Sequence, residues 1–480
     1  MKKLFFLKPL PLIFFAAMCA NADVVSSGKW SENSTWSEAS APTTSSSNPY
    51  TDLSFASSGI TLEVDSNQYA DRIQLGSAAD TTIAIDSGAS LTLLGYDAKE
   101  NPTKVGPYYY ISASNPASKL TFTGDGELVL SRTNETRFQM GQIVWDVNVT
   151  CTTGSFYLLN STQGSQSSLT INKTANLSNK QANYGNWKVI LSSEAKVTSG
   201  FLICSGSMEM AAGSVYNVSG GANLNNVTLN GKMSISNVRD WESERMAARI
   251  SGTTVFGETA SFTTTSTDSR AKVLFNGNVT SNAAQNAINI AGSAYLNNNV
   301  VMNLNTSNSI KVGTAAGQGD STFYVVNYST PKVGEKYVDT FAASNATINL
   351  GADNDFGKFI FYEGSTLNLQ TNGYAVTIGS IDLYSDSGYY TINVSELTDF
   401  TLKINSLDNI NYEDDGAGNV LATDIFIFDE DDFRSNAYLI ADTTNGGWWI
   451  NATSEIPEPA EIAAIFGALA LGLACCRKRK

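Results

Sequence analysis

Apolar side chains recur at every second position in short runs along most of the chain. Each run follows a Gly, Ser or Ala, and six examples are residues 88–93, 118–122, 126–130, 206–210, 231–235 and 364–369. Period two places alternate side chains on opposite faces of an extended strand, and a small residue before the run suits a tight corner. The pattern therefore predicts an all-β protein built from many half-buried strands.

These strand units repeat over residues 23–410 with an irregular period. Stacked coils, in which each unit buries its apolar face only against its neighbours, accommodate such a pattern. The first prediction is therefore a right-handed parallel β-helix, which is a solenoid. Asn230–Gly231 and Asn276–Gly277 are hairpin signals, and they keep an antiparallel β-sandwich open as the alternative. The same dipeptides also suit solenoid corners, because Asn and Gly tolerate a positive φ.

The amino terminus carries the three parts of a secretory signal peptide. They stand in order as Lys2 and Lys3, the apolar run 4–18, and the small residues Ala20 and Ala22. A short apolar run after a positive start, closed by an A-x-A pattern, is removed during export. We therefore predict that residues 1–22 are cleaved off and that Asp23 is the new amino terminus.

The carboxyl terminus combines a polar hinge, an apolar run and a basic end. The hinge contains Pro457, Glu458 and Pro459, the apolar run covers residues 462–476, and the basic end is Arg477, Lys478, Arg479 and Lys480. As a helix the apolar run is about 22 Å long, against a hydrocarbon core of roughly 30 Å. Snorkelling basic side chains and local thinning of the bilayer make up the difference. The sequence predicts a single transmembrane helix whose basic end stays in the cytoplasm.

Residues 454–480 closely resemble the PEP-CTERM sorting signal, in which Pro457, Glu458 and Pro459 form the name-giving motif. The resemblance implies recognition by an exosortase, a membrane-embedded cysteine transpeptidase of Gram-negative bacteria that make exopolysaccharide. It also implies an exported precursor that is anchored in the inner membrane and then transferred to the cell surface or extracellular matrix. Cys475 and Cys476 stand where that family usually has aliphatic or aromatic residues.

Both ends of the predicted solenoid carry segments that suit a cap. Trp30 and Trp36 resemble the opening strands of autotransporter-like passenger domains, where an aromatic pair covers the first coil. Such a cap is needed because an open end exposes unpaired backbone groups and an apolar core. Residues 411–453 differ in composition from the rest of the chain, with acidic runs at 413–415 and 429–432. We predict that they form an acidic terminal cap and the approach to the membrane.

Charge and composition exclude several functions. A net charge of −15 repels a phosphate backbone, so nucleic acid is not a predicted partner. The absence of histidine removes the commonest general base, the commonest zinc ligand and the usual activated nucleophiles. The acidic runs lack the spacing of a calcium loop, so we predict no catalytic residue, metal site or cofactor. Cys151 and Cys204 are expected to be buried thiols rather than a disulfide, because free cysteine is usually buried.

The predicted function is that of a structural or adhesive, non-enzymatic component of the cell surface or extracellular matrix. Rows of Ser, Thr and Asn on a rigid rod offer many weak hydrogen bonds, and linked weak sites raise avidity. The predicted partners are extracellular polysaccharide, an exosortase-type sorting enzyme, and the membrane through the carboxyl-terminal helix. The alternative is a carbohydrate-active lyase or glycosidase, because paired carboxylates cleave glycosidic bonds without histidine. Its candidate carboxylates are scattered singly along the sequence, as at Asp125, Glu127, Glu194 and Glu209.

The tail generates a testable prediction. Changing Pro457 and Pro459 to Ala should block processing but not export, because the two prolines hold the hinge extended and stop the helix from extending backward. Intact-mass measurement on fractionated cells should find the double variant uncleaved and still carrying residues 477–480. Normal maturation of that variant would show instead that the tail is a plain anchor.

Overall fold

The structure is a computed structural model, and it describes most of the chain between residues 21 and 450. The described residues are 21–44, 52–55, 57–76, 80–94, 110–113, 115, 117–131, 135–151, 154–158, 167–177, 180–238, 246–266, 271–313, 322–329, 332–333, 336–384, 390–395, 401–408, 412–414, 420–422, 426–427 and 437–450. The predicted transmembrane helix therefore lies outside the described residues. Within them the helical structure is one 3-10 turn, Asn33–Thr35, and no helix there is long and apolar enough to span a bilayer.

Short strands make up nearly all of the regular structure, as the alternating pattern predicts. Those of the first part of the chain are β1 (Asn21–Val24), β2 (Gly28–Lys29), β3 (Asp52–Phe55), β4 (Ile60–Val64), β5 (Gln68–Ala70), β6 (Arg72–Gln74), β7 (Asp80–Ile85), β8 (Ser90–Leu93), β9 (Ile111–Ser112), β10 (Lys119–Leu130), β11 (Glu135–Gln139), β12 (Gln142–Cys151), β13 (Ser155–Leu158), β14 (Ser168–Ile171), β15 (Thr174–Asn176) and β16 (Gln181–Asn183). The middle part contains β17 (Lys188–Leu191), β18 (Lys196–Ser199), β19 (Phe201–Cys204), β20 (Ser207–Met210), β21 (Val215–Val218), β22 (Ala222–Leu229), β23 (Lys232–Ile235), β24 (Met246–Phe256), β25 (Ser261–Thr264), β26 (Lys272–Phe275), β27 (Asn278–Ser281), β28 (Ile288–Ile290), β29 (Ser293–Leu296), β30 (Val301–Leu304), β31 (Ile310–Val312) and β32 (Thr322–Val325). The last part contains β33 (Asn327–Ser329), β34 (Lys332–Val333), β35 (Lys336–Tyr337), β36 (Thr340–Ala342), β37 (Asn345–Leu350), β38 (Asn354–Phe361), β39 (Thr366–Gln370), β40 (Val376–Leu383), β41 (Thr391–Ser395), β42 (Leu402–Ile404), β43 (Tyr412–Asp414), β44 (Val420–Ala422), β45 (Phe426–Ile427), β46 (Ala437–Ala441) and β47 (Trp448–Ile450).

Parallel pairing between successive coils sorts these strands into three sheets. Sheet A runs through β1, β3, β6, β9, β11, β13, β16, β19, β22, β24, β26, β29, β32, β38 and β40. Sheet B runs through β2, β4, β7, β10, β12, β14, β17, β20, β22, β24, β27, β30, β37, β39, β41 and β45. Sheet C runs through β5, β8, β10, β12, β15, β18, β21, β23, β25, β28 and β31, and again through β38, β40 and β42. Several long strands bend at a corner and so belong to two sheets.

The chain visits sheets A, B and C in turn and then returns to sheet A one coil further on. Leu169, Val189 and Met208 are stacked partners in sheet B, so one coil takes 20 residues and the next takes 19. Coil length varies along the chain, since Val301 pairs with Thr347 but Asn349 pairs with Gln370. The predicted β-solenoid of parallel strands is confirmed, and the antiparallel β-sandwich is wrong.

Inward-facing side chains stack in columns along the solenoid. In sheet B the column Leu169, Val189, Met208 and Val227 is at most 3% exposed. Burying each such side chain stabilises the fold by about 1.5–3 kcal/mol. Each coil therefore depends on the coils above and below it for its core, as expected of a solenoid.

The two Asn-Gly dipeptides lie at corners between sheets rather than in hairpins. Asn276–Gly277 joins β26 of sheet A to β27 of sheet B. The φ of Gly277 is not positive, but a Cβ at that position would lie 2.0 Å from the carbonyl oxygen of Gly252 in the preceding coil. Gly231 is similar, since its Cβ would lie 2.6 Å from the carbonyl oxygen of Ser214. Glycine is thus required by the close approach of successive corners, and not by the positive φ that the sequence suggests.

Two tryptophans lie buried at the amino-terminal end of the solenoid. The rings of Trp30 and Trp36 meet edge to face with centroids 5.0 Å apart, and both side chains belong to the main core. Trp36 Nε1 donates to the carbonyl oxygen of Trp30 at 2.9 Å, and Trp30 Nε1 donates to that of Pro42 at 3.2 Å. Both indole N–H groups are satisfied, so the pair closes the apolar end without leaving a buried donor unpaired.

Antiparallel strands lie at the other end. Strand β42 pairs with β47, which continues through β46 and β44 to β43. Lys403 Nζ on β42 is 2.8 Å from Asp442 Oδ2, and each side chain is 9% exposed. The hydrogen bond from Lys403 holds the pKa of Asp442 well below its usual range. This buried pair, with the Trp449 ring 5.3 Å from Nζ, fastens the last coil to the antiparallel strands.

The close corners yield a stability prediction with a matched control. Gly277→Ala should destabilise the protein by about 1–3 kcal/mol, because the added methyl group overlaps a backbone carbonyl that cannot move freely. Gly76→Ala is the control, since its Cβ would meet the nearest atom at an ordinary 3.5 Å. Thermal unfolding, together with hydrogen exchange of β24 and β27, measures the difference. Equal effects of the two substitutions would contradict the close-approach explanation.

Candidate functional site

Mostly uncharged polar side chains form a long row on the outside of sheet B, interrupted by Val144, Ile190, Glu209 and Val255. These side chains occupy equivalent register positions in successive coils, and we name this set row B: Thr61, Thr82, Thr121, Val144, Thr170, Ile190, Glu209, Thr228, Val255, Thr280, Asn303, Asn349 and Gln370. All of them are exposed or half-buried. Paired strands lie about 4.7–4.9 Å apart, so neighbouring hydroxyl or amide groups of the row, as at Thr280, Asn303 and Asn349, follow one another at that spacing.

Sheet C carries a second row of the same character. We name it row C: Tyr69, Thr92, Val129, Thr150, Asn176, Thr198, Asn217, Ser234, Thr263, Asn289 and Lys311. Thr92 is buried and Val129 is apolar, but from Thr150 to Asn289 the row is an unbroken line of exposed or half-buried hydrogen-bonding groups, which no single stretch of sequence reveals.

Hydrogen bonds along the rows hold several of these side chains in place. In row B, Asn349 Nδ2 donates to Asn303 Oδ1 at 2.7 Å, and Asn303 Nδ2 donates to Thr280 Oγ1 at 3.2 Å. In row C, Thr198 Oγ1 donates to Asn176 Oδ1 at 2.9 Å. Side chains fixed in this way lose less conformational entropy when they bind a ligand. The rows therefore suit a long, hydroxyl-rich molecule.

The one charged side chain of row B, Glu209, is paired with a neighbour. Glu209 of row B is 2.7 Å from Lys188 Nζ, and both side chains are about half exposed. A surface pair of this kind adds little stability, but it leaves no net charge at that point of the row. An uncharged ligand fits this surface better than a polyanion does.

One groove brings together two of the scattered carboxylates. It lies at a corner between sheets B and C, and Asp125, Glu127 and Asn148 are among its lining residues. Lys173 Nζ is 2.8 Å from Asp125 Oδ1, and this hydrogen bond and charge lower the pKa of Asp125. Glu127 accepts a hydrogen bond from Thr150. A general acid in glycoside hydrolysis needs a raised pKa, so Asp125 is poorly suited to that role.

A second groove opens where sheet C is interrupted. No backbone ladder joins β31 to β38 in the described part of sheet C. Two side-chain bonds bridge the gap, from the N–H of Asn308 to Asn354 Oδ1 at 3.0 Å and from the N–H of Asp355 to Asn308 Oδ1 at 2.7 Å. The groove encloses about 740 Å³ and is lined in part by Asp355, Asp408 and Lys311. Loss of part of its hydration raises the pKa of Asp355.

Most residues that the sequence assigns to export and sorting lie outside the described part of the chain. These are Ala20, the motif Pro457, Glu458 and Pro459, and the basic end 477–480. Ala22 and Asp23 do lie within it, in β1, where Ala22 pairs with Leu53 and is buried. Cleavage before Asp23 would therefore shorten the first strand of sheet A.

The remaining candidates are resolved as follows. Cys151 and Cys204 are both buried and form no disulfide, as expected, and burial raises the pKa of the Cys204 thiol to about 12. Glu194 lies in the turn between β17 and β18, far in sequence from the groove carboxylates. In the described ranges no group of His, Cys, Asp or Glu side chains is arranged to hold a metal ion. The sequence does not predict the second groove, because no local motif marks the interruption of a hydrogen-bond ladder.

No family model matches the chain, and no curated protein and no solved structure is measurably similar to it. What its fold and surface define is an all-β solenoid with two ordered polar faces.

Proposed function

We propose that the chain is a non-enzymatic structural or adhesive protein of the cell surface or extracellular matrix, and that it binds extracellular polysaccharide along rows B and C. The observation that carries the proposal is the register that aligns hydroxyl and amide groups without a break from Thr150 to Asn289 in row C, and at most positions of row B. A single hydrogen bond contributes a net of about 0.5–1.5 kcal/mol. Affinity in such a system comes from the number of linked contacts.

The sorting route belongs to the same proposal. Residues 1–22 would direct export, and residues 454–480 would hold the precursor in the inner membrane until an exosortase-type transpeptidase processes it at Pro457, Glu458 and Pro459. The support for this sorting route is the order of hinge, apolar run and basic end at the carboxyl terminus.

We also propose that the coil winds right-handed, because crossovers between parallel strands in one sheet are right-handed in about 98% of cases.

A carbohydrate-active lyase or glycosidase is the second candidate. The second groove favours it, because a carboxyl with a raised pKa, Asp355, lines the same groove as Asp408. An acid with a raised pKa and a second carboxylate are the two groups that glycoside hydrolysis requires. Asp355 remains exposed to solvent, which favours the binding function over this one.

The rows generate a prediction about avidity. A quadruple variant in row B, with Thr82, Thr121, Thr170 and Thr228 each changed to Val, should weaken binding to neutral polysaccharide at least tenfold, while each single variant changes it less than twofold. Valine keeps the shape and strand preference of threonine and removes only the hydroxyl group. Affinity gel electrophoresis in dextran, galactomannan or hydroxyethylcellulose measures the retardation.

The matched control is the same quadruple change to Ser, which keeps every hydroxyl group. It should be retarded as the wild type is. If the Val and Ser variants behave alike, the hydroxyl groups of row B do not bind the polymer and the proposal is wrong for that face.

A turnover assay distinguishes the enzyme alternative from the non-enzymatic proposal. We expect purified protein to release no reducing ends from neutral or acidic polysaccharides. Turnover that is lost in Asp355→Asn but kept in Glu363→Gln, a carboxylate on an exposed turn, would establish a hydrolytic or lytic site. That result would overturn the non-enzymatic proposal.

A further inference from the structure

The outer face of sheet A differs from those of sheets B and C. Its central register positions, which we name row A, become apolar and aromatic toward the carboxyl-terminal half: Tyr157, Asn183, Ile203, Asn223, Arg249, Leu274, Tyr295, Tyr324, Ile360 and Asp382. An outward apolar face of a solenoid has no coil to pack against. Something else must cover it, or it must serve as a contact surface.

An excursion of the chain covers part of this face. After β32 the chain leaves the coil and forms two antiparallel pairs, β33 with β36 and β34 with β35. Tyr328 on β33 packs with Met246, Leu274, Tyr295 and Val326 in a cluster separate from the main core. Asn297, which is 9% exposed, binds the backbone of Tyr328 from both sides, at 2.8 Å to its carbonyl oxygen and 3.0 Å to its N–H. The excursion is thus fixed firmly to sheet A.

Four aromatic rings on and beside the excursion remain partly open, and we name them the aromatic patch: Tyr324, Phe341, Tyr362 and Tyr384. The Tyr384 ring contacts each of the other three, with centroids 6.4 Å from Tyr324, 4.8 Å from Phe341 and 6.2 Å from Tyr362. The Tyr324 ring is itself stacked on Tyr295 at 4.5 Å, with an interplanar angle of 7°. Neighbouring rings therefore hold Tyr384 in place although it is 45% exposed.

Two lysines near the patch are already paired. Lys358 Nζ is 2.8 Å from Asp382 Oδ2, with both side chains 28% exposed. Lys272 lies 3.9 Å from Asp339 and 4.4 Å from the centroid of the Tyr328 ring. Neither lysine offers a spare positive charge to an acidic ligand. Burial raises the pKa of Tyr324, so its hydroxyl group stays neutral and can donate a hydrogen bond.

We propose that the aromatic patch is a binding site for one or two pyranose rings of a neutral polysaccharide, with the Tyr384 ring stacked against the apolar face of the sugar. An aromatic ring offers a rigid apolar surface at low entropic cost, and its polar neighbours Lys358 and Asp382 can bind the sugar hydroxyl groups at the rim. The inference rests on the proposed polysaccharide-binding function. It adds a localised site to the diffuse contacts of rows B and C.

The size of the open surface favours a sugar over a protein partner. The large apolar side chains that are exposed in the described residues are Val25, Val338, Tyr374 and Tyr384. A stable protein interface buries about 1,200–2,000 Å² around several apolar anchors. A patch with one well-exposed ring matches the face of a sugar ring instead. The net charge of −15 further favours a neutral polymer over an acidic one.

Affinity gel electrophoresis of the whole protein tests the site. Hydroxyethylcellulose, galactomannan and dextran are the neutral probes, and alginate is the acidic one. We expect retardation by at least one neutral polymer and none by alginate. Tyr384→Ala should lower the association constant for that polymer about tenfold, and Tyr384→Phe should restore it to within twofold. Tyr374→Ala is the matched control, because Tyr374 is also an exposed tyrosine, at 39%, in the turn after β39. It should bind as the wild type does.

The remaining outcomes separate this inference from the function on which it rests. If Tyr384→Ala binds normally while the row B valine variant does not, the patch inference is overturned and the proposed function stands. If no neutral polymer retards the wild type, both are overturned. If Tyr384→Ala changes the molar mass seen by light scattering but not the retardation, the patch is a contact between copies and the inference fails. Unchanged thermal unfolding of Tyr384→Ala shows that the fold is intact.

Discussion

The parallel hydrogen-bond ladder between successive coils is the constraint on which the rest of this structure depends. It holds each residue about 4.7–4.9 Å from its equivalent in the next coil. A misplaced side chain in one coil therefore also disturbs the packing of the neighbouring coils. Apolar residues must face inward in every coil, which is why the stacked column at Leu169, Val189 and Met208 is fully buried. Corners must also nest closely, and Gly277 is needed where two backbones meet.

A ladder of this kind leaves backbone groups unpaired at its two ends. The two ends of this solenoid are covered by different structures. The amino-terminal end is closed by the apolar Trp30–Trp36 pair with both indole groups satisfied. The other end is continued by antiparallel strands and fastened by the buried Lys403–Asp442 pair. Salt screens an ion pair with little solvent exposure less than it screens an open surface pair, so this pair ties the last coil to the strands beyond it.

The surface features follow from where the ladder is regular and where it is interrupted. Regular stacking converts the abundant Ser, Thr and Asn residues into rows B and C, which suit many weak contacts. Interruption of sheet C between β31 and β38 opens a groove beside Asp355, and the excursion after β32 builds the aromatic patch around Tyr384. The second groove and the aromatic patch therefore lie where the repeat is broken, and rows B and C lie where it is kept.

The sequence by itself determined the all-β class, many of the strands and the corners, because a period-two pattern bounded by small residues depends only on neighbours in the chain. The predicted export and sorting signals are likewise local patterns. Only the tertiary structure decided which residues stack, since coils of 19 residues and of 46 follow no fixed period that can be read along the chain. Row A, the groove beside Asp355 and the rings around Tyr384 depend on contacts between coils. A local pattern cannot encode such contacts, because the spacing between partners is set by the loops and excursions that separate them.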